Sequence, residues 1–112
     1  MERMNASEVE FLVLKSAWRV MAASWELTPR ELRDLLPEGG QRDAAPPRDT
    51  ERRMRMLVEI GHRLRIREDG ELADWLRTGS EVLGYHTPLE VMSGAIGDLR
   101  AFRNLVEQGF GA

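Results

Sequence analysis

The sequence predicts an all-α protein, a compact bundle of about five to six short helices, and three observations carry that prediction. Helix-start signals recur along the chain, at Ser7-Glu8-Val9-Glu10, Thr28-Pro29-Arg30-Glu31 and Thr87-Pro88-Leu89-Glu90. In each, a hydroxyl cap is answered three residues later by a glutamate that can reach back to the cap's amide. Apolar residues follow those signals at spacings of three and four. No segment alternates apolar and polar residues over enough length to make a strand.

The first helix follows the Ser7 box. Val9, Leu12 or Val13, Ala17, Val20 or Met21 and Trp25 recur at helical spacing, and Phe11, Leu14, Trp18 and Ala22 add apolar surface. Because more than half its circumference is apolar, it is expected to be a central, mostly buried element. The second helix takes Thr28 as N-cap, Pro29 where a missing amide hydrogen costs nothing, and Leu32, Leu35 and Leu36 as its apolar side. Pro37 and Gly39-Gly40 end it. Residues 37–47, with Ala44-Ala45-Pro46-Pro47, have no helical period and read as an exposed loop.

Asp49 or Thr50 starts a third helix whose Met54, Leu57, Val58, Gly61 and Leu64 form one stripe, with Arg52, Arg63 and Arg67 grouped on the other side. Asp69-Gly70 is expected to break the chain before a short helix carrying Leu72, Trp75 and Leu76, which Gly79 terminates. The Thr87 box opens another short helix. Gly94 and Gly97 would each cost about 1 kcal/mol inside a helix, so a break is expected at residues 93–97. A last helix over 98–108 starts with Asp98 at its positive end, turns Leu99, Phe102, Leu105 and Val106 inward, and stops at Gly109.

A chain of 112 residues fits one compact core and can bury roughly 65% of its unfolded surface. Hydrophobic content of 42% against 31% charged residues excludes a disordered chain. No run approaches the roughly 18 apolar residues that span a bilayer, and Met-Glu-Arg-Met-Asn lacks signal-peptide order, so no membrane association and a cytoplasmic location are expected. Zero cysteines exclude disulfides, thiolate zinc sites and a cysteine nucleophile. Net charge is −3, yet residues 48–67 hold seven arginines against Asp49, Glu51 and Glu59. That local excess suggests a basic face.

Catalysis finds little to work with. His62 and His86 stand apart, no His-x-x-x-His or Glu-x-x-His pattern gathers metal ligands, and Ser80, Thr87 and Ser93 lack a nucleophile elbow. Neither an enzyme nor a metal or cofactor site is expected. Arg48, Arg52, Arg53, Arg63 and Arg67, with Arg42 and Arg55, could contact phosphates, the bland alternative being a solvated helix face paired locally with Glu51 and Glu59. For protein binding, Tyr85, between Gly84 and His86, and Phe110, beyond Gly109, are the aromatics expected outside the core.

Residues 73–109 also carry a longer pattern: Asp-Trp-Leu-Arg at 74–77, Leu-Gly-Tyr-His-Thr-Pro-Leu-Glu-Val-Met at 83–92, then an arginine-bearing amphipathic helix. This order resembles the C-terminal toxin-binding domain of the Xre/MbcA/ParS antitoxins. Their pattern is a Trp-Leu helix, a Gly-Gly-x-Ser/Thr-Pro-Leu-Asp-x-(Leu/Met) turn and helix start, a glycine-bearing break and a closing helix. Gly84 takes the first glycine position, Thr87, Pro88 and Leu89 match, Glu90 stands where Asp is more usual, and Tyr85 and His86 depart from Gly and Arg. Preceding helices match loosely.

The resemblance implies a type II antitoxin that neutralises a RES-domain, NAD-degrading toxin by occluding its active site, without catalysing anything itself. Tyr85, His86, Glu90, Arg100, Arg103, Glu107, Phe110 and Ala112 would meet the toxin. It also implies an N-terminal part, residues 1–67, that dimerises and often binds promoter DNA, before a toxin-binding module over 68–112. The N-terminal part is helix-turn-helix-like but degenerate. Its recognition helix is either lost or reduced to one turn near 41–45, because residues 37–47 hold three prolines and two adjacent glycines. The alternative is a small helical DNA-binding transcriptional regulator that uses the arginine-rich face. The first helix, being so apolar, is a candidate to pack against its own copy in a homodimer.

Overall fold

In a computed structural model, which describes residues 6–36, 48–64 and 69–111, each helix-start signal is followed by a helix. The helices are α1 (Ala6–Ser24), α2 (Pro29–Leu35), α3 (Arg48–Arg63), α4 (Asp69–Leu76), α5 (Pro88–Met92) and α6 (Ile96–Glu107), with a 3-10 turn at Glu81–Leu83. The fold is all-α, as expected, and no strand occurs among the described residues. Residues 37–47, the proposed single turn at 41–45, Arg42, Arg67 and Ala112 lie outside the described residues, as does the side chain of Arg48.

The centre of the bundle is α3, packed against α1 on one side and α6 on the other. Its Met54, Met56, Leu57, Val58, Ile60 and Leu64 are all buried, a wider face than the single predicted stripe, because two helices cover it. Trp18, Met21 and Trp25 come in from α1, Leu72 and Leu76 from α4, Leu89 and Met92 from α5, and Leu99, Phe102 and Val106 from α6. Each such side chain contributes about 1.5–3 kcal/mol by leaving water. Gly61 lets α1 and α3 approach, since a Cβ there would lie 2.0 Å from the Met21 Sδ.

Four expectations need correction. Instead of being central and mostly buried, α1 lies at the side of the bundle with one face inward: Leu14, Lys15, Trp18, Met21 and Trp25 are buried, whereas Val9, Leu12, Val13 and Val20 are exposed. Its apolar residues exceed what contact with α3 can cover. Ser7 falls inside the first turn of α1, which already starts at Ala6. Asp69-Gly70 does not break the chain but lies within α4. Gly97 sits within the first turn of α6, so the break narrows to residues 93–95.

The two Thr-Pro signals form as predicted. Thr28 Oγ1 accepts from the Glu31 amide at 3.2 Å while Glu31 Oε1 accepts from the Thr28 amide at 2.9 Å. Thr87 and Glu90 repeat both bonds at 3.1 Å. Pro29 and Pro88 occupy the first helical turn in each case.

Two arginines tie distant parts of the chain. Arg53 turns into the protein and donates to the carbonyls of Leu35, Met92 and Gly94, the last at 2.9 Å. Those carbonyls end α2 and α5, where no intrahelical donor remains, so one guanidinium closes two helix ends. Burial lowers the Arg53 pKa below its ordinary value. Arg77, after α4, holds Glu31 in a bidentate pair at 3.1 and 2.7 Å and donates to the Trp25, Glu26 and Ala73 carbonyls. The corner between α1 and α2 is thereby fastened to α4.

Candidate functional site

The chain between α4 and α5 closes on itself. Ser80 donates its amide to the His86 carbonyl at 3.2 Å, and the Ser80 carbonyl accepts from Tyr85 at 2.7 Å and from Leu83 at 3.0 Å. Gly84 donates to Glu81 and His86 to Leu83. A Cβ on Gly79 would lie 2.7 Å from the Tyr85 carbonyl oxygen, so Gly79 serves close backbone approach here as well as following the helix end. This ring of bonds puts both Gly84 (φ +64°) and Tyr85 (φ +69°) in the left-handed region. For Gly84 that conformation is free of cost; for a Cβ-bearing Tyr85 it costs of order 1–3 kcal/mol.

The strained residue points outward. Tyr85 is 77% exposed, and Val82, in the adjacent 3-10 turn, is 65% exposed. His86 and Glu90 complete the cluster, with Nδ1 and Oε2 3.5 Å apart. Hydrogen bonds from the Thr87 amide and hydroxyl, then from His86, hold the Glu90 carboxyl below its ordinary 4.5. Beside this loop, between α2 and α5, is a depression of about 460 Å³ walled by Glu31, Asp34, Arg77, Thr87, Glu90 and Ser93, among others. Arg77 is committed to Glu31, so the depression is acidic in character.

The other expected binding residues are distributed differently. Arg100 and Glu107 are exposed on α6. Arg103 shares their helix face but leans on α3, its Nη1 3.3 Å from Glu59 Oε2, and its Nε is buried without a partner among the described residues. Phe110 is not a free tip. Its ring lies 5.6 Å from Trp75 and 5.9 Å, edge-on, from Phe102, and Gly111 fits so closely over Trp75 that a Cβ would meet the ring at 2.9 Å. The tail folds back because a Phe ring gains more from that apolar pocket than from water.

On the basic face, Arg52 and Arg63 are exposed as expected. Arg53 does not share it, being turned inward on backbone carbonyls. Arg55 pairs with Glu51 at 2.8 Å and lies 3.9 Å from Glu10. Among the described residues no group of three or more His, Asp or Glu could hold a metal ion, and no helix is long and apolar enough to cross a membrane.

Val82 and Gly79 were not singled out from the sequence as parts of this site. The available signal was the pair Gly79 and Gly84 bracketing a four-residue turn that contains the apolar Val82 and Leu83. Comparison with family models, with curated proteins and with solved structures returns no match to this chain.

Proposed function

We propose that this chain is a non-catalytic protein-binding module of the antitoxin type, whose surface around Tyr85 docks on a RES-domain toxin and keeps NAD⁺ from its active site by occlusion. One observation carries this reading. Residues 84 and 85 are both left-handed, the backbone for which the Gly-Gly of the resembled antitoxin turn is suited. Where a second glycine would relieve the strain, this chain spends stability to hold an aromatic ring in solvent. Strain of that kind, with an exposed tyrosine at its apex, is characteristic of residues that meet a partner.

The exposed Val82 and Tyr85 supply apolar contact, and Asp34 and Glu90 offer carboxylates to a basic side chain of the partner. Phe110 supports the module from within by covering Trp75. The basic face offers less to a DNA-binding reading, because Arg53 and Arg55 are engaged by the protein itself.

The test is co-expression with the RES-domain product of an adjacent reading frame, reading both co-purification and cellular NAD⁺. A stable complex and restored NAD⁺ are expected. Tyr85→Gly should raise the stability of the isolated chain by about 1 kcal/mol in urea denaturation while weakening the complex about tenfold or more. Absence of a complex, or a Tyr85→Gly variant that binds undiminished, overturns the reading.

A further inference from the structure

Two short helices, α2 and α5, wall the acidic depression beside Tyr85 and carry Asp34 and Glu90, the carboxylates there that Arg77 does not hold. With seven and five residues, neither keeps its place through its own helical bonds. Each is fixed at its start by a Thr-Pro capping box, but their ends are handled differently from the end of α6. There the left-handed Gly109 closes the helix locally, its amide donating to the Val106 carbonyl and the Phe110 amide to that of Leu105. Neither Leu36, which ends α2, nor Ser93 and Gly94, which follow α5, takes that conformation.

Instead, Arg53 comes from α3 and donates to Leu35 at the end of α2 and to Met92 and Gly94 at the end of α5, the last at 2.9 Å. Local caps would satisfy such carbonyls without partly burying a charge, which is costly in itself. What only a shared guanidinium supplies is a fixed separation between two helix ends. We infer that Arg53 is a positioning residue of the docking surface, whose planar fork sets the gap across which Asp34 and Glu90 face a basic side chain of the partner. It acts through Leu35 and Ser93, which line the depression, and does not line it itself. Arg77 holds the other end of α2 through Glu31. Lysine cannot stand in for Arg53, because a single ammonium is a point charge that lacks the fork needed to serve both helix ends at once. The inference rests on the docking role proposed for this surface.

Since the chain has no cysteine, spin labels at Arg33→Cys on α2 and Ala95→Cys after α5 report the gap without background, both positions being exposed. Pulsed electron spin resonance should give one narrow distance. Arg53→Lys should broaden it and shift its maximum, and Arg53→Gln, neutral and without the fork, should do the same. Leu14→Ala, a core truncation on α1, has a stability cost of its own and should leave the distance unchanged, which separates positioning from general loosening. At matched folded fraction by circular dichroism, Arg53→Lys should weaken the complex with the RES-domain product about tenfold, and Leu14→Ala by less than about twofold. An unaltered distance in the Arg53 variants, an equal broadening in Leu14→Ala, or undiminished docking by Arg53→Lys overturns the inference. If the wild-type chain forms no complex, the antitoxin reading falls instead, and the distance still decides whether Arg53 sets the gap.

Discussion

Thr28-Pro29-Arg30-Glu31 and Thr87-Pro88-Leu89-Glu90 perform the same local task with the same bonds, and the protein uses the two results in opposite ways. In the first, the glutamate also receives Arg77 and becomes part of the joint between the N-terminal helices and α4. In the second, Glu90 faces solvent beside His86 and Tyr85. A capping box therefore fixes where a helix begins and leaves the glutamate's second oxygen available. What that oxygen meets, the Arg77 guanidinium that ties in α4 or the exposed imidazole of His86, decides whether the box is scaffold or surface.

The largest effect on this contrast is expected from Arg77→Ala. It removes both donors to Glu31 and the donors to three carbonyls, and should lower stability by about 3 kcal/mol, read as a reduced urea midpoint. No counterpart exists at the second box, so the matching substitution His86→Ala should leave the midpoint nearly unchanged. Next come the caps themselves. Thr28→Ala and Thr87→Ala should each cost about 1 kcal/mol, and near equality would show that the capping chemistry is the same despite the different surroundings.

The smallest effect is on acid sensitivity. Burial alone would raise the Glu31 pKa, but the Arg77 and Thr28 hydrogen bonds outweigh it and hold the group below 4.5. A carboxylate with a depressed folded pKa contributes fully above its unfolded value and loses that contribution as pH falls through the folded one. Stability should therefore decline below about pH 4.5, and Glu31→Gln should flatten that decline. Glu90 is lowered too, but it is fully exposed, so Glu90→Gln should alter the acid limb less than Glu31→Gln. An equal response from the two variants would break the distinction between scaffold and surface.

What the sequence disclosed followed the range of the interactions. The caps at Thr28 and Thr87, the stripe of α3 and Leu99, Phe102 and Val106 of α6 were legible because caps and apolar period are set within a few positions, whereas Leu105, also expected inward, is only half-buried. Arg53 and Arg77 were not legible, since their partners are up to 41 and 52 residues away, and an arginine that ends a helix has the same sequence appearance as one that faces water. The burial of α1 was overestimated for a related reason. Apolar spacing shows how much of a helix avoids water and leaves open whether this chain or another covers it. Phe110 beyond Gly109 read as a loose tip, because the pocket formed by Trp75 and Phe102 exists only once α4 and α6 have met. At the candidate site, Tyr85, His86 and Glu90 were named from the sequence, but the closed loop that strains Tyr85 depends on bonds between Ser80 and His86 that no periodicity reveals.

The return of Phe110 and Gly111 onto Trp75 gives the molecule a built-in optical gauge. Trp18 and Trp25 are sealed in the interior, while Trp75 is half-buried with Phe110 and Gly111 lying against its ring. Anything that grips the far end of α6 and lifts those two residues away will wet one indole of three, shifting fluorescence to longer wavelength without unfolding the bundle.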